Sequence, residues 1–407
     1  MSETFRPETD SQVAELLSWA LAEEIPLEVR GRGSKLALGR PSQAERTLDL
    51  SGLSGIVFYE PEELVLKARA GTPLAEIEAA LAEQNQELAF EPSDLGPLLG
   101  GEAAQGSIGG VIACNLSGPR RIKAGAARDH FLGVEALSGR GEAFKSGGRV
   151  VKNVTGYDLC KLLAGSYGTL AVTTDIVVKV LPRPEKTRTV LVYGLDDAKG
   201  VVAMTRALTS SHEVSGAAHL PAGVAARSGV PRVSDAGGAV TAIRVEGPGG
   251  SVAHRCAALR ETLADLGETE ELHSQNSATF WRELRDVQPF VGEARAVWRI
   301  SVAPKAGPQV AAAVAAIEGA GHFLDWGGGL IWAALPAEGD GGAAVLRNAV
   351  KQAGGGHATL VRGPEPLRAG VPVFQPLDPV QDALTRRVKE SFDPKAILNP
   401  GRMIAGV

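Results

Sequence analysis

The stretch at residues 106–121, GSIGGVIACNLSGPRR, contains four glycines and six other small residues, Ser107, Ala113, Cys114, Asn115, Ser117 and Pro119, and ends on two cations, Arg120 and Arg121. A core strand fills its inward face with bulky side chains, whereas a segment with so little side-chain mass lets another group approach its backbone. A shorter stretch of the same kind, RGRGSK at residues 30–35, precedes it. Backbone N–H groups in such turns form concave anion sites, so the loops Gly31–Lys35 and Gly106–Gly118 are both able to cradle phosphate. Neither has the G-x-G-x-x-G spacing with a following helix, and GxxxxGK[ST] is absent, so the doubly wound dinucleotide-binding and P-loop readings fail on spacing. On composition alone the loops read equally well as structural turns or as the seat of a diphosphate ligand.

Glycine accounts for 50 of the 407 residues, about 12% against a usual ~7%, and the excess falls in clusters between periodic segments rather than in a linker or repeat. At this length two or three domains are expected. A formal net charge of −5 leaves no electrostatic footprint for nucleic acid. Cys114, Cys160 and Cys256 are far apart and form no CxxC pair, so neither a disulfide framework nor an iron–sulfur site is expected. The start, MSETFRPETDSQ, is polar and acidic, unlike a signal peptide, and no apolar run nears the ~18 residues needed to span a bilayer. A cytoplasmic protein without a transmembrane segment is expected.

Periodicity outlines two folded regions. Val13, Leu16, Leu17, Ala20 and Leu21 form one helical stripe over residues 11–24, with Asp10 or Ser11 as cap. PLEVRG, GIVFYE, ELVLKARAG and ELAF read as strands around a helix, TPLAEIEAALAEQ. FLGVEALSG and DIVVKVLPRP are strands on either side of a second glycine-rich, partly helical block, GGRVVKNVTGYDLCKLLAGSYGTLAV. Pro182 and Pro184 mark a boundary. Beyond it, RTVLVYG, AVTAIRVEG and AVWRISVAP alternate with Ala-rich helices near 198–208, 251–267, 307–319 and 342–353, and HFLDWGGGLIWAAL reads as a hairpin turning on Gly327–Gly329. This is the pattern of an antiparallel sheet with helices on one face. The tail PVQDALTRRVKESFDPKAILNPGRM reads as an amphipathic helix and a loop broken by Pro and Gly. The fold class is α+β.

Taken in order, RGRGSK, GSIGGVIACNLSGPRR, GAARDHFLGVEALSGRGE and GGRVVKNVTGYDLCKLLAGSYGTLAV resemble the two-subdomain, PCMH-type FAD-binding domain of the vanillyl-alcohol oxidase superfamily. FDPKAILNPGRM resembles that superfamily's C-terminal return segment. More narrowly, YEPEELVLKARAGTPLAEIEAALAEQNQELAFEP, GPRR, VVKNVTGYD and LPRP are similar to the FAD-binding E subunits of bacterial glycolate oxidase (glycolate dehydrogenase). The likeness is dense over residues 28–184, good over 380–403 and sparse between, where FWRELRD, VWRISV and LDWGGG carry it. It implies a PCMH-type FAD-binding domain over 1–183 and an α/β cap domain with a mainly antiparallel sheet over 184–375, serving substrate or assembly. The C-terminal helix and loop, 376–407, would return to the first domain.

The resemblance also implies roles for particular residues. Arg30, Gly31, Arg32, Gly33, Ser34 and Lys35 would wrap the FAD pyrophosphate, with Pro92, Ile108, Gly109 and Gly110 lining the same cofactor. Asn115, Ser117 and Gly118 would lie near the ribityl chain and flavin, and Arg128, Asp129, Gly168, Thr169 and Val172 would complete the cradle. Arg120 and Arg121 would face a partner or an acidic surface rather than FAD. Many relatives link FAD covalently through a His in the first loop, where this chain has Ser34 and Lys35. Cys114 reads as a small buried residue, so FAD is expected to be non-covalent. The usual GSxGTLG reads GSYGTLAV, with Ala171 in the last glycine position.

The H-x-G-D-G-N-type motif of metal-assisted 2-hydroxy-acid dehydrogenases has no counterpart here. No two of the seven histidines are closer than His212 and His219, and no metal site is expected. For a substrate carboxylate the candidates are Arg282 and Arg285, i, i+3 on one helix face, and Arg299, on the strand face opposite Trp298 and Ile300. The competing reading of each is a solvated or salt-bridged arginine. His322 and His357 read as scaffold, Lys152 and Tyr157 as either structural or close to the flavin, and no catalytic base is identified.

The activity implied by the resemblance is that of an FAD-binding subunit in a complex oxidising glycolate, or a related 2-hydroxy acid such as lactate, to the 2-oxo acid by hydride transfer to flavin. The implied partners are a homologous, longer FAD-containing subunit bearing the main substrate site and an iron–sulfur subunit that takes the electrons. The implied location is the cytoplasm, including a peripheral place at the inner face of the plasma membrane. Two alternatives stay open: a self-sufficient FAD-dependent oxidoreductase of hydroxy or sugar acids, and a non-catalytic scaffold.

Overall fold

The computed structural model describes residues 3–149 and 156–406. It divides into two compact units, the first made of 1–117, 125–183 and 376–407 and the second of 118–124 and 184–375. The short segment 118–124 therefore leaves the region read from sequence as the first domain and packs with the second.

In the first unit, helix α1 (Asp10–Glu23) is capped by Thr9, whose hydroxyl accepts from the Gln12 amide, one residue ahead of the caps read from sequence. Its buried Val13, Leu17 and Ala20 pack with Leu27 and Leu48 of a three-stranded parallel sheet. That sheet is formed by β1 (Thr4–Phe5), β2 (Leu27–Arg30) and β3 (Arg46–Asp49) in the order β1-β3-β2. A five-stranded antiparallel sheet contains β4 (Ile56–Glu60), β5 (Val65–Arg69), β7 (Phe131–Ser138), β8 (Ala143–Gly147) and β9 (Ala171–Lys179) in the order β4-β5-β9-β7-β8. Between them in sequence, β6 (Gln86–Glu87) pairs with β10 (Leu181–Pro182), so ELAF supplies only the edge of a strand.

Alternation sorts the five-stranded sheet into two faces. Leu66, Ala68, Val134, Ile176 and Val178 pack with residues of α2 (Leu74–Glu83) and α3 (Ile108–Cys114). The opposite face carries a charge ladder in which Lys67 bridges Glu135 (2.7 Å) and Asp175 (2.9 Å), and Arg69 bridges Asp175 (3.0 Å) and Asp10 (2.7 Å).

Helix α3 lies inside the stretch read as a glycine loop. A glycine inside a helix costs about 1 kcal/mol relative to Ala, which is why its sequence does not announce a helix. Ser107 starts the helix by accepting from the Gly110 amide, and Asn115 ends it with a left-handed φ of 49°. Gly109 is required because a Cβ there would sit 2.7 Å from the Ala70 carbonyl oxygen, so only glycine lets the helix pack this close to the chain after β5.

The C-terminal helix Pro379–Phe392 and the loop after it belong to the same unit. The buried Lys389 ammonium donates to the carbonyls of Thr169 (2.8 Å) and Leu398 (3.0 Å) and to Asp393 (2.6 Å). Asp393 in turn accepts from the amides of Ile397 and Leu398.

The second unit is built on one eight-stranded sheet of β11 (Lys186–Tyr193), β12 (Gly216–Leu220), β13 (Val240–Gly247), β14 (Thr269–Leu272), β15 (Ala296–Ser301), β16 (Gly321–Asp325), β17 (Leu330–Leu335) and β18 (His357–Arg362). The order is β14-β11-β13-β12-β16-β17-β15-β18, with every neighbouring pair antiparallel. Val190, Ile243, Trp298, Ile300 and Leu324 from the sheet share a core with residues of the helices Asp197–Leu208, Gly249–Leu263, Gly307–Ala315 and Ala343–Gln352. The hairpin read from HFLDWGGGLIWAAL is β16 and β17, joined through Trp326–Gly328.

Segment 118–124 is fastened to this unit by side chains. Arg120 forks onto Glu246 (Nε to Oε2 3.0 Å, Nη2 to Oε1 2.8 Å), and Ile122 packs against the core. Burial would raise the Glu246 carboxyl, but Arg244 and Arg120 outweigh it and hold the group at about 2. Arg120 thus faces a carboxylate of its own chain, not a partner.

Candidate cofactor-binding cleft

A cleft holding about 110 Å3 of internal space opens in the first unit. Three distant stretches supply most of its lining: residues 28–36 from β2 and the loop after it, Ser107 with Gly109, Gly110, Ala113 and Cys114 of α3, and Tyr167, Gly168, Ala171 and Thr173 with Asn399 and Arg402 of the C-terminal loop. The glycines serve close approach. A Cβ at Gly31 would lie 2.5 Å from Ser107 Oγ, and one at Gly168 would lie 2.9 Å from Asn399 Nδ2. A Cβ at Gly33 would meet only Leu36, at an ordinary 3.7 Å, so its φ of +78° is the reason for glycine there.

Asn399 ties two of these stretches together. Its side-chain oxygen accepts from the Val29 amide (2.8 Å), and its Nδ2 donates to the carbonyls of Val29 (3.2 Å) and Tyr167 (2.8 Å). Arg402 donates to the Lys35 carbonyl (3.1 Å) and lies 3.8 Å from Glu28. The Lys35 ammonium donates to Ser34 Oγ (3.2 Å), and burial pushes its pKa below the ordinary lysine value against the opposing pull of Cys114 and Asp94. Burial likewise pushes the Cys114 thiol up, against Lys35 and Arg402. The lining thus offers main-chain amides, glycine surface and four cationic side chains, Arg30, Arg32, Lys35 and Arg402, the lysine destabilised by its own burial. A diphosphate supplies the negative charge such a lysine lacks, so the donor set fits an extended dianionic ligand such as FAD.

Of the cofactor residues inferred from sequence, the cleft gathers Arg30, Gly31, Arg32, Gly33, Ser34, Lys35, Gly109, Gly110 and Gly168. The others do not line it, and their side chains serve the fold. Ile108 and Val172 are fully buried in core clusters, and Pro92 is buried as well. Thr169 gives its hydroxyl to the Ser166 carbonyl, Ser117 accepts from the Ala127 amide, and Asn115 accepts from the Arg128 amide. Asp129 accepts from the Ala126 amide, Arg128 stands half-exposed beside it, and Gly118 belongs to the second unit. Sequence reasoning missed Glu28, Tyr167, Asn399 and Arg402 as lining residues. The last two sit in LNPGRM, whose resemblance to a return segment was the available signal. Lys152 lies outside the described residues, and Tyr157 is 91% exposed.

The substrate candidates are separated by their partners. Arg285 forks onto its neighbour Asp286 through two 2.8 Å hydrogen bonds, and Arg282 is exposed, so the pair does not present two forks to one carboxylate. Arg299 does point away from the core that holds Trp298 and Ile300, and its guanidinium lies over the Trp326 ring, 5.0 Å from the centroid. His322 Nε2 donates to the Asp197 carboxylate at 2.9 Å, a scaffold contact. Among the described residues no group of three or more His, Cys, Asp or Glu is placed to hold a metal ion, and no helix is long and apolar enough to cross a membrane.

Comparison with known proteins agrees with this geometry. A family profile described as an FAD binding domain matches residues 2–147, and one described as the C-terminal domain of FAD linked oxidases matches 375–403. Glycolate oxidase subunit GlcE of Escherichia coli K12 is 37% identical over 392 residues, 96% of each chain. A D-lactate dehydrogenase of Archaeoglobus fulgidus is 31% identical over 179 residues, 44% of this chain and 38% of its own. Among solved structures, p-cresol methylhydroxylase superposes with a TM-score of 0.75 at 15% identity, covering 98% of this chain and 88% of its own. Alkyldihydroxyacetonephosphate synthase superposes with a TM-score of 0.69 at 16% identity, covering 98% of this chain and 76% of its own.

Fold and cleft together define a PCMH-type flavoprotein whose cofactor is FAD, an FAD-dependent oxidoreductase. Within that class, the chain belongs to the family of the glycolate oxidase subunit GlcE.

Proposed function

We propose that this chain is the FAD-binding subunit of a complex that oxidises glycolate, or a closely related 2-hydroxy acid, to the 2-oxo acid. The end-to-end likeness to a glycolate oxidase subunit carries this reading. When bound, FAD supplies the two-electron acceptor for the hydride leaving the α-carbon. The amides of residues 31–35 with Lys35 and Arg402 hold the diphosphate, and Asn399 fixes the loop that presents them. The Cys114 thiol, raised by burial, stays protonated and is a poor nucleophile, and Ser34 and Lys35 stand where a linking histidine would be. The cofactor is therefore held without a covalent bond.

Electrons leave through other chains. Four thiolates are the usual ligand set of an iron–sulfur cluster. Cys160 and Cys256 are buried in different cores, and Cys114 lines the cleft. The partners in this reading are a longer flavin subunit carrying the main substrate site and an iron–sulfur subunit, assembled in the cytoplasm or at the inner membrane face.

Anaerobic mixing of the FAD-loaded chain with glycolate and with D-lactate tests the assignment. Slow or absent bleaching at 450 nm, restored by the homologous flavin subunit, is expected. Rapid bleaching by the chain alone would replace the accessory-subunit reading with that of a self-sufficient enzyme. Yellow colour retained in an acid-precipitated pellet would overturn the non-covalent assignment.

A further inference from the structure

A helix on a protein surface normally buries its apolar stripe and leaves its charges in water. The C-terminal helix Pro379–Phe392 does the reverse. Its buried residue is Lys389, the lysine held by Thr169, Leu398 and Asp393. Val388 and Phe392 are only partly buried against the core of the first unit. The apolar residues of the outer face stand in solvent: Val380 is 79% exposed and Leu384 57% exposed, and Leu377, next to the capping Asp378, is 41% exposed. Val380, Leu384, Arg387 and Ser391 follow one another at intervals of four, three and four residues, which places them on one side of the helix, and all four are exposed. Ala383, also exposed, adds a small residue beside Leu384. An isolated apolar side chain in water is ordinary, whereas a row of them on a short helix that buries a lysine marks an interaction face.

Charge along this face has a direction. Residues 377–383 carry Asp378 and Asp382 and no cation, and residues 384–389 carry Arg386, Arg387 and Lys389 and no acid. Asp382 is paired with Arg386 inside the helix (2.8 Å), and Lys389 with Asp393 (2.6 Å). Asp378 and Arg387 are the exposed charges that remain at the two ends of the apolar row. Asp378 uses Oδ1 to accept from the amides of Val380 and Gln381, which leaves its charge outside the helix.

We propose that this face docks a second copy of the same chain, with the two C-terminal helices antiparallel about a twofold axis near Asp382. A twofold interface must be complementary to itself, and the antiparallel arrangement meets that demand. Val380 of one copy lies against Leu384 of the other, and Asp378 of one lies against Arg387 of the other, each contact occurring twice. A parallel pairing would set Arg387 on Arg387 and Asp378 on Asp378. The two copies of Asp382 meet near the axis with their charge already balanced by Arg386. Glu390 falls past the end of the opposing helix. One short helix per copy covers less than the ~1,200 Å2 of a stable interface, so the dimer is reversible and forms with rising concentration in the micromolar range. The pairing is independent of which acid the protein oxidises.

Sedimentation velocity of the FAD-loaded chain, from low micromolar to submillimolar concentration, reads the association. Conversion of monomer to dimer is expected. Leu384→Asp and Val380→Asp should each raise the dissociation constant at least tenfold, with flavin content and thermal midpoint retained because neither side chain supports the fold. Arg387→Glu should weaken the dimer several-fold. Asp378→Asn, which keeps a capping side chain, should weaken the native dimer but strengthen that of Arg387→Glu, a change of sign that a merely structural role would not produce. A chain that stays monomeric throughout would overturn the proposal, as would a dimer indifferent to both aspartate substitutions. A monomeric chain that binds a homologous flavin subunit, and loses that binding in Leu384→Asp, would give the face to that subunit and overturn self-pairing.

Discussion

The cleft of the first unit and the indole of the second both gather positive charge, and they do so by opposite means. In the cleft the donors include main-chain amides of the loop 31–35, exposed by glycines at 31, 33, 109, 110 and 168, with Arg30, Arg32, Lys35 and Arg402 as the added cations. At the indole, the cations are the side chains of Arg121 and Arg299 over the ring of Trp326, and none of these is a sequence neighbour of another. A main-chain site requires missing Cβ atoms and positive φ, so it writes itself into composition. A side-chain cluster requires only that topology bring the right residues together, and a lone Arg or Trp looks the same whether or not it has a task.

The largest expected effect tests whether the cleft depends on its return loop. Asp393→Ala leaves the buried Lys389 ammonium without its carboxylate and removes the acceptor for the Ile397 and Leu398 amides. Breaking a buried pair in this way costs about 3–5 kcal/mol, or a fall in the midpoint of the first unit of about 10 °C. Asn399 and Arg402 hang from the same loop, so flavin affinity should fall with it. Scanning calorimetry with flavin fluorescence reads both, and a stable variant with normal flavin content would show that the loop is dispensable.

Next in size is the conformational demand at Gly33. Valine in a left-handed backbone is strained by about 1–2 kcal/mol, while Asn tolerates that region. Gly33→Val should purify with under a tenth of the wild-type flavin and Gly33→Asn with most of it, measured as absorbance at 450 nm per mole of chain. Equal flavin in the two would mean that the loop is not held in this conformation around the cofactor.

Lys35→Met probes charge rather than shape. Loss of one charge-assisted contact to a diphosphate should weaken FAD binding about 10- to 100-fold, or about 1.4–2.8 kcal/mol. The lysine pKa is lowered in the folded chain, so the unfolded chain holds its proton to higher pH. The stability of the flavin-free chain should therefore rise with pH between the lowered native value and the ordinary ~10.4, and FAD affinity should fall over that window as the ammonium is lost. Both slopes should vanish in Lys35→Met, as followed by fluorescence titration and urea unfolding across pH.

What the sequence disclosed follows the same division. Strands β11, β13 and β15 and the four Ala-rich helices were legible because period-2 and period-3.6 patterns survive in short windows. Strands β12 (GAAHL) and β14 (TEEL) were not, because their places in the sheet are decided by the strands beside them and not by β-propensity. Helix α3 was hidden by its own glycines. Gly31, Gly33 and Lys35 were legible in the cleft, whereas Asn399 and Arg402 required a contact across more than 360 residues. Arg120 and Arg121, which look like an outward-facing pair, are separated by their partners, Glu246 for one and Trp326 for the other.

The smallest effect is reserved for a polar cluster of the second unit that serves neither the cleft nor the indole. Asp197, in the first turn of the helix Asp197–Leu208, accepts from or pairs with His322 (2.9 Å) and His219 (3.3 Å). Both histidines are buried, and His219 also meets Thr241 Oγ1 at 2.8 Å. Burial would raise the Asp197 carboxyl, but the two imidazoles outweigh it and hold the group well below the usual carboxylate range. A depressed native carboxyl stabilises the fold at every pH above the unfolded value of ~3.9, and that contribution is lost as pH falls through the native value. Asp197→Asn keeps the shape and removes the charge, so it should cost about 1–2 kcal/mol at pH 7, and the difference from the native chain should shrink as the pH is taken below ~4. Urea midpoints of the second unit at the two pH values measure this. Flavin content should not change, because the cleft draws all of its lining from the first unit. Loss of flavin in Asp197→Asn would show that the second unit's packing reaches the cofactor, and the contrast between a self-contained cleft and a separate side-chain cluster would fail.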